Sequence, residues 1–148
     1  MQRTPCIDVY ILLEHFDEAT ITFFRQHYLE GLSDTQDKYW WPTDAEEHEI
    51  ELETTDIWEM MRFLLAHPSR YIFYFSTAEP GATSTGMVFF NSDKRLILGV
   101  EVPTAQEQYY RQRLSADFHS NLLLSLGDEI HRPDSKEEFI RWMSACNG

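Results

Sequence analysis

The chain has 148 residues, and its 43% hydrophobic and 14% aromatic content is enough to build one folded domain with a real core. It carries 25 Asp and Glu against 12 Lys and Arg, for a formal net charge of −13. This charge opposes binding to nucleic acid and to anionic membranes, because both need clustered basic residues. The sequence therefore predicts neither partner, and it favours a basic protein.

The negative charge is concentrated in the first part of the chain. Residues 1–64 hold 15 acidic and 4 basic residues, whereas residues 65–148 hold 10 and 8. No window approaches the ~20 apolar residues of a membrane helix, and an acidic residue interrupts the short apolar run Ile7–Leu13, which makes it a poor signal peptide. The two cysteines, Cys6 and Cys146, do not make a disulfide framework. We expect a cytoplasmic protein.

The N-terminal third is predicted to contain a strand, a helix and a loop. Residues 7–14 alternate as a strand does. Asp17 is placed to cap a helix that ends near Gly31, and the apolar stripe of this helix comprises Ile21, Phe24 and Tyr28. Residues 32–43 are predicted to be a loop that becomes strongly aromatic towards its end.

The stretch Asp44–Glu59 holds eight carboxylates and no Lys or Arg. A strand here would place four glutamates in a row on one face, namely Glu47, Glu49, Glu51 and Glu53. Neighbours in that row would lie about 6.5–7 Å apart and repel one another, and glutamate has poor strand propensity. Two interpretations remain open. The commoner one is an edge strand protected by charge against aggregation; the other is a surface for a cationic partner.

A second helix is predicted to follow the acidic strand. Asp56 and Glu59 have the spacing of a capping box, and Pro68 is expected to end the helix. Its buried stripe is predicted to comprise Ile57, Met60, Met61, Leu64 and Leu65.

Residues 71–102 predict a three-stranded antiparallel meander. The strands are expected over 71–76, 87–90 and 96–102, joined by a Gly/Ser/Thr-rich loop and by the turn signal at 91–95. The first of these strands is apolar on both faces, as expected of a central strand that is covered on each side.

The C-terminal part is predicted to be helical. Thr104 and Glu107 form a capping-box pattern that starts a helix reaching at least Leu114. Residues 116–126 fit either a continuation of this helix or a strand. A last helix follows Pro133, with Asp134 or Ser135 as its cap and Phe139, Ile140 and Met143 buried.

These elements predict one α+β domain over residues 1–148. Its mostly antiparallel sheet should have about five strands, including the meander at 71–102, and three to four helices should pack against it.

The sequence contains no recognisable catalytic, metal or cofactor motif. His48-Glu49 begins like the zinc-protease pattern H-E-x-x-H, but position 52 is leucine. Glutamates alternating along a straight strand cannot converge on one Ca²⁺ ion. Residues 81–86 have the glycine spacing of a phosphate loop, but they lack the following lysine and precede a strand. We therefore expect a protein that is not an enzyme and that binds no metal or cofactor.

Aromatic residues beside the acidic strand suggest an interface, because Trp and Tyr dominate binding hot spots. The predicted partner-binding residues are Tyr39, Trp40, Trp41, Asp44, Glu46, Glu47, Glu49, Glu51 and Glu53. At least one of the two adjacent tryptophans is expected to fill the core instead.

The second half of the chain resembles immunity proteins of bacterial polymorphic-toxin and contact-dependent growth inhibition systems. The resemblance is carried by the segments Tyr71–Ser76, Met87–Phe90, Asp93-Lys94, Leu96–Val100 and Pro133–Phe139. It implies a small, cytoplasmic, often acidic protein that binds a cognate toxin domain and blocks it. Such a toxin would be basic, as domains that attack nucleic acid are, and no individual residue role is carried over.

Two other functions remain open at this point. One is an acidic adaptor or chaperone-like interaction domain with another basic partner. The other is a small-molecule-binding or enzymatic α+β domain, which would require a deep apolar pocket with convergent polar groups.

Overall fold

The computed structural model describes residues 5–42, 51–77, 84–127 and 133–147, and it shows an α+β fold. Helices and strands occur in the order β1 (Cys6–Leu13), α1 (Glu18–Tyr28), β2 (Ser33–Asp34), β3 (Tyr39–Trp41), β4 (Leu52–Thr54), α2 (Ile57–Ala66), β5 (Tyr71–Ser76), β6 (Thr85–Phe90), β7 (Leu96–Pro103), a 3₁₀ turn (Thr104–Gln106), α3 (Glu107–Phe118), β8 (Leu123–Leu126) and α4 (Lys136–Asn147). Six strands form one antiparallel sheet in the order β2-β5-β6-β7-β1-β8, while β3 and β4 form a separate pair. The predicted fold class is confirmed.

The meander predicted at 71–102 is present as β5, β6 and β7. Tyr71 lies opposite Phe90, and Phe90 lies opposite Leu96, so the three strands are in continuous antiparallel register. The N-terminal strand β1 then pairs with β7 over its whole length, from Cys6 opposite Pro103 onwards. β1 is also hydrogen-bonded to β8 on its other side, which places the N-terminal strand inside the sheet.

Both faces of the sheet are covered, because β1 alternates between two apolar sets. Val9, Ile11 and Leu13 face the core that contains the buried side chains of α1, α2 and α3. Tyr10 and Leu12 face a second core closed by α4. The helical side chains of the first core are Ile21, Phe24, Tyr28, Met60, Met61, Leu64, Tyr110 and Leu114. Helices therefore lie on both sides of the sheet, three on one and α4 on the other.

Side-chain caps fix where three helices begin, as predicted. Asp17 accepts a hydrogen bond from the Thr20 amide at 2.9 Å and starts α1. Asp56 starts α2 by accepting one from the Trp58 amide at 2.9 Å, so the capping residue is the predicted one, but its bond does not go to Glu59 as the expected capping box requires. Ser135 accepts one from the Glu138 amide at 3.1 Å and starts α4. Each bond satisfies an amide that has no partner within the helix.

The capping box expected at Thr104 and Glu107 is wrong. A 3₁₀ turn precedes α3, and no side chain caps that helix. The Thr104 amide instead donates to the carbonyl of Pro5 at 3.0 Å. The Thr104 amide, which would bond to the Glu107 side chain in a capping box, is thus used in a tertiary hydrogen bond.

The ambiguous segment 116–126 proves to be both a helix end and a strand. α3 continues to Phe118, and His119 follows it with φ of 54°. β8 then occupies Leu123–Leu126. The main sheet has six strands instead of the expected five, because it gains β2 and β8 while the acidic strand, β4, pairs with β3 in a separate sheet.

Two other expectations fail at the edges of the fold. Residues 32–43 were expected to be a loop, but they contain β2 and β3, which depend on distant pairing partners. β5 was expected to be covered on both faces, yet Tyr74 is 37% exposed, because α4 packs mainly at the β8 end of the sheet. None of the helices in the described parts of the chain is long and apolar enough to cross a bilayer.

The buried face of α4 also differs from the expectation at one residue. Phe139 is fully buried and Met143 is partly buried as predicted, but Ile140 is 40% exposed. Trp142 takes the place that was expected for Ile140 in the contact with the sheet.

Neighbouring residues of α4 should differ sharply in their contribution to stability. We predict that Phe139→Ala lowers the free energy of unfolding by about 3–5 kcal/mol, because it opens a cavity in the second core. Ile140→Ala should cost less than about 1 kcal/mol, since a large part of this side chain is exposed. Urea unfolding of both variants measures the difference, and equal losses would contradict the assigned face of α4.

A salt bridge ties α4 to the end of β1. The Lys136 ammonium contacts the Glu14 carboxylate, and the Lys136 amide donates to Asp93 Oδ2 at 2.7 Å. The hydrogen bond and the charge of Lys136 lower the pKa of the Glu14 carboxyl. Because the pKa of Glu14 is lowered by folding, this side chain stabilises the fold at pH values above the ordinary glutamate pKa of about 4.3. The stabilisation is lost as the pH falls through the lowered pKa.

This salt bridge predicts a pH-dependent difference between variants. Glu14→Gln should be less stable than the parent chain at pH 7, and the difference should disappear once the pH falls well below the lowered pKa of Glu14, where the glutamate and the glutamine side chains are both neutral. Glu137→Gln is the control, because its long contact to Arg141 (3.8 Å) is within α4 and does not tie it to the sheet. A Glu14→Gln effect that does not shrink as the pH is lowered from about 5 to about 2 would argue against the ion pair as its cause.

Candidate partner-binding surface

The aromatic segment and the end of the acidic stretch pair with each other as a small two-stranded sheet. Tyr39 lies opposite Thr54, Trp40 opposite Glu53, and Trp41 opposite Leu52. The Glu51 amide extends this ladder by donating to the Trp41 carbonyl at 2.8 Å. Since residues directly opposite each other share a face, Trp40 and Glu53 stand side by side.

The inner face of this small sheet attaches it to the main core. Tyr39 is 1% exposed, and its ring centroid lies 5.4 Å from that of Phe73. The Trp41 ring lies 5.2 Å from the Phe63 ring of α2, and its Nε1 donates to Ser69 Oγ at 3.1 Å. Tyr39 and Trp41 are thus the aromatic residues that hold β3 in place.

The outer face of β3 and β4 presents Trp40, Glu51 and Glu53, which we call the outer hairpin face. Trp40 is 36% exposed, and both glutamates are exposed while Leu52 and Thr54 are half-buried. The alternation expected for the acidic strand is therefore confirmed over residues 51–54. An indole beside two carboxylates is suited to contact an apolar and cationic surface.

One intramolecular cation occupies part of this face. Lys38 Nζ lies 2.5 Å from Glu53 Oε1, and both side chains are about half exposed. Exposed ion pairs of this kind contribute at most about 1 kcal/mol. A basic partner can therefore replace Lys38 at Glu53 at little cost.

The structure separates the predicted site residues into three groups. Trp40, Glu51 and Glu53 are together at the surface, whereas Tyr39 is withdrawn into the core and Trp41 is half-buried. The remaining predicted residues lie outside the described part of the chain: Asp44, Glu46, Glu47 and Glu49. Trp40 points outwards and Trp41 inwards because adjacent residues of a strand face opposite sides. The sequence alone did not show which of the two faces outwards, since that depends on the pairing of β3 with β4.

A shallow recess of about 260 Å³ adjoins Trp40. It is lined by Gln36, Trp40, Arg70, Tyr71 and Ile72. Burial raises the pKa of the Tyr71 hydroxyl, so this group stays neutral at physiological pH. The recess can receive one side chain of a partner next to the indole.

The chemistry of a metalloenzyme is not assembled in the described residues. Within 5–42, 51–77, 84–127 and 133–147, no group of three or more His, Cys, Asp and Glu side chains is placed to hold a metal ion. Comparisons with known proteins also provide no relative, since no protein family, no curated protein and no solved structure matches the chain.

The two adjacent tryptophans should respond differently to truncation. Trp41→Ala is expected to lower the free energy of unfolding by about 2–3 kcal/mol, because it removes a packed ring and leaves Ser69 without its donor. Trp40→Ala should change it by less than about 1 kcal/mol. Chemical unfolding followed by far-UV circular dichroism measures both values; a larger loss for Trp40→Ala would reverse the assigned orientation of β3.

Proposed function

We propose that this protein is a non-enzymatic immunity protein that binds a cognate basic bacterial toxin domain and neutralises it by stoichiometric occlusion. It would act in the cytoplasm of the cell that it protects. The observation that carries the proposal is the outer hairpin face, where the exposed Trp40 lies opposite Glu53 and on the same face as Glu51.

Electrostatics supports a basic protein as the partner. The net charge of −13 is concentrated in the part of the sequence that contains this face. A toxin domain that acts on nucleic acid carries a positive surface, and an acidic inhibitor competes there with phosphate. Attraction between opposite charges can raise the association rate above ~10⁷ M⁻¹s⁻¹ at low salt.

Affinity in such a complex would come from an anchor more than from the summed charge. A few residues, most often Trp, Tyr or Arg, provide most of the binding energy of protein interfaces. Trp40 is the exposed tryptophan at this face, and the recess beside it offers a place for a partner's side chain. The glutamates around it would orient the partner and exclude partners of the wrong charge.

The resemblance to immunity proteins adds to this argument. It rests on the segments that form β5, β6, β7 and the start of α4. These segments build the central sheet, whereas the outer hairpin face lies outside them. The resemblance therefore supports the class of protein that we propose, and the outer hairpin face supports the proposed site of partner binding.

The proposal is tested by co-expressing the chain with the toxin domain encoded beside its gene. The parent chain should restore growth and bind the toxin with one-to-one stoichiometry. Glu51→Lys/Glu53→Lys should weaken binding by tenfold or more and reduce the salt dependence of the association rate, because the local field changes sign. Trp40→Ala should accelerate dissociation.

Matched controls separate the local effect from general changes. Glu30→Lys/Glu137→Lys alters the net charge by the same amount at exposed positions elsewhere, and Tyr109→Ala removes another exposed aromatic ring. Both controls should retain growth protection. Binding without restored growth would point to an adaptor instead, and equal losses in test and control variants would contradict the outer hairpin face as the interface.

A further inference from the structure

Arg25 on α1 is held between two aromatic rings. Its guanidinium carbon lies 5.5 Å from the centroid of Trp58 and 5.1 Å from that of Phe75. The side chain is half-buried. Attraction between the cation and both ring faces fixes the position of the guanidinium, so it is preorganised rather than mobile in solvent.

Arg25 differs from the other half-buried arginines that the structure describes, because each of those donates at least one side-chain hydrogen bond to a described residue. Arg95 donates to the Asp93 carbonyl at 2.9 Å. Arg111 donates to Ser125 Oγ at 2.8 Å, and Arg113 donates to the His27 carbonyl at 2.7 Å. Arg25 makes no hydrogen bond or ion pair from its guanidinium to any described residue. A partly desolvated cation without an oxygen partner is costly, and an added anion would offset that cost.

Asp34, the described carboxylate whose charge acts on Arg25, does not fill this role. Asp34 lies close enough for its charge to oppose the lowering of the pKa of Arg25 that burial causes. No ion pair joins the two side chains, however, and Asp34 Oδ1 accepts the Gln36 amide at 3.0 Å. Asp34 is thus engaged in its own turn.

Arg25 lines an open pocket of about 300 Å³ between α1 and α2. The pocket is formed by Thr22, Arg25, Gln26, Leu29, Leu32 and Trp58. The Thr22 hydroxyl is already bonded to the Glu18 carbonyl, which leaves Arg25 and Gln26 as the free polar groups. The volume is at the lower end of the range for small-ligand sites. Its wall is divided between three polar side chains and the apolar side chains of Leu29, Leu32 and Trp58.

We propose that this pocket, the Arg25 pocket, binds the carboxylate of a monoanionic ligand that has a small apolar body. The planar guanidinium matches a carboxylate through two parallel hydrogen bonds, and Leu29, Leu32 and Trp58 would cover the apolar part. The net charge of the chain disfavours multiply charged ligands such as nucleotides. The Arg25 pocket shares no lining residue with the outer hairpin face or with the recess beside Trp40.

Two sources share this chemistry, a free carboxylic acid and the C-terminus of a peptide chain, and one titration separates them. Hexanoate and a leucine-ending tripeptide with a free carboxylate are added while NMR follows the Arg25 Nε–H and Trp58 Nε1–H signals. Hexanamide and the amidated tripeptide are the uncharged controls. At least one carboxylate should shift both signals to saturation, with a Kd of about 1 mM or lower, and its amide should not.

Variants of Arg25 test whether the guanidinium itself is responsible. Arg25→Gln should weaken carboxylate binding by about tenfold or more, and Arg25→Lys should also weaken it while keeping a cation over the rings. Arg141→Gln is the matched control, because Arg141 is an exposed arginine on α4, on the other side of the sheet from the Arg25 pocket. The dispersion of the amide spectrum shows that each variant is folded.

Each outcome decides the proposal. Saturation by the tripeptide alone assigns the pocket to a chain terminus, and saturation by hexanoate assigns it to small carboxylic acids. The proposal is overturned if neither carboxylate saturates, if the amides bind equally well, or if Arg141→Gln and Arg25→Gln have the same effect.

Discussion

Burial of both faces of the central strands is the constraint on which the rest of the structure depends. In β1, successive side chains enter two different cores, with Val9 and Ile11 on one side and Tyr10 and Leu12 on the other. β6 and β7 share this property, since they are almost entirely buried. A strand of this kind cannot slip by one residue without placing every side chain in the wrong core, so the sheet is a rigid base for what surrounds it.

Surface chemistry is therefore confined to the periphery of the fold. β3 and β4 are attached to the base through Tyr39 and Trp41, and the same alternation turns Trp40 and Glu53 outwards. The Arg25 pocket also results from packing onto the sheet. The burial of Phe24 fixes the orientation of α1, and the next residue, Arg25, then lies over the Phe75 ring near the end of β5. Both candidate sites are consequences of how peripheral elements pack onto the sheet.

The sequence predicted the features that depend on interactions between residues close together in the chain, such as helix caps and tight turns. The capping residues Asp17 and Asp56 and the turn at 91–95 act within a few residues, and each is present. β2 and β3 are short, and they form strands only because they pair with β5 and β4. Their own sequence, residues 32–43, therefore predicted a loop. The acidic alternation located Glu51 and Glu53, but the outward orientation of Trp40 needed the register with β4. Arg25 was overlooked, although its position four residues after Ile21, within the apolar stripe of α1, was a signal that it meets the core.

The central claim is that the outer hairpin face is where the partner binds, and hydrogen–deuterium exchange of the toxin complex tests it most directly. Amides of residues 39–41 and 51–54 should gain protection on binding, while those of α4, on the far side of the sheet, should exchange at unchanged rates. Protection confined to α4 or to the edge strand β8, with none at 39–41 and 51–54, would contradict the account.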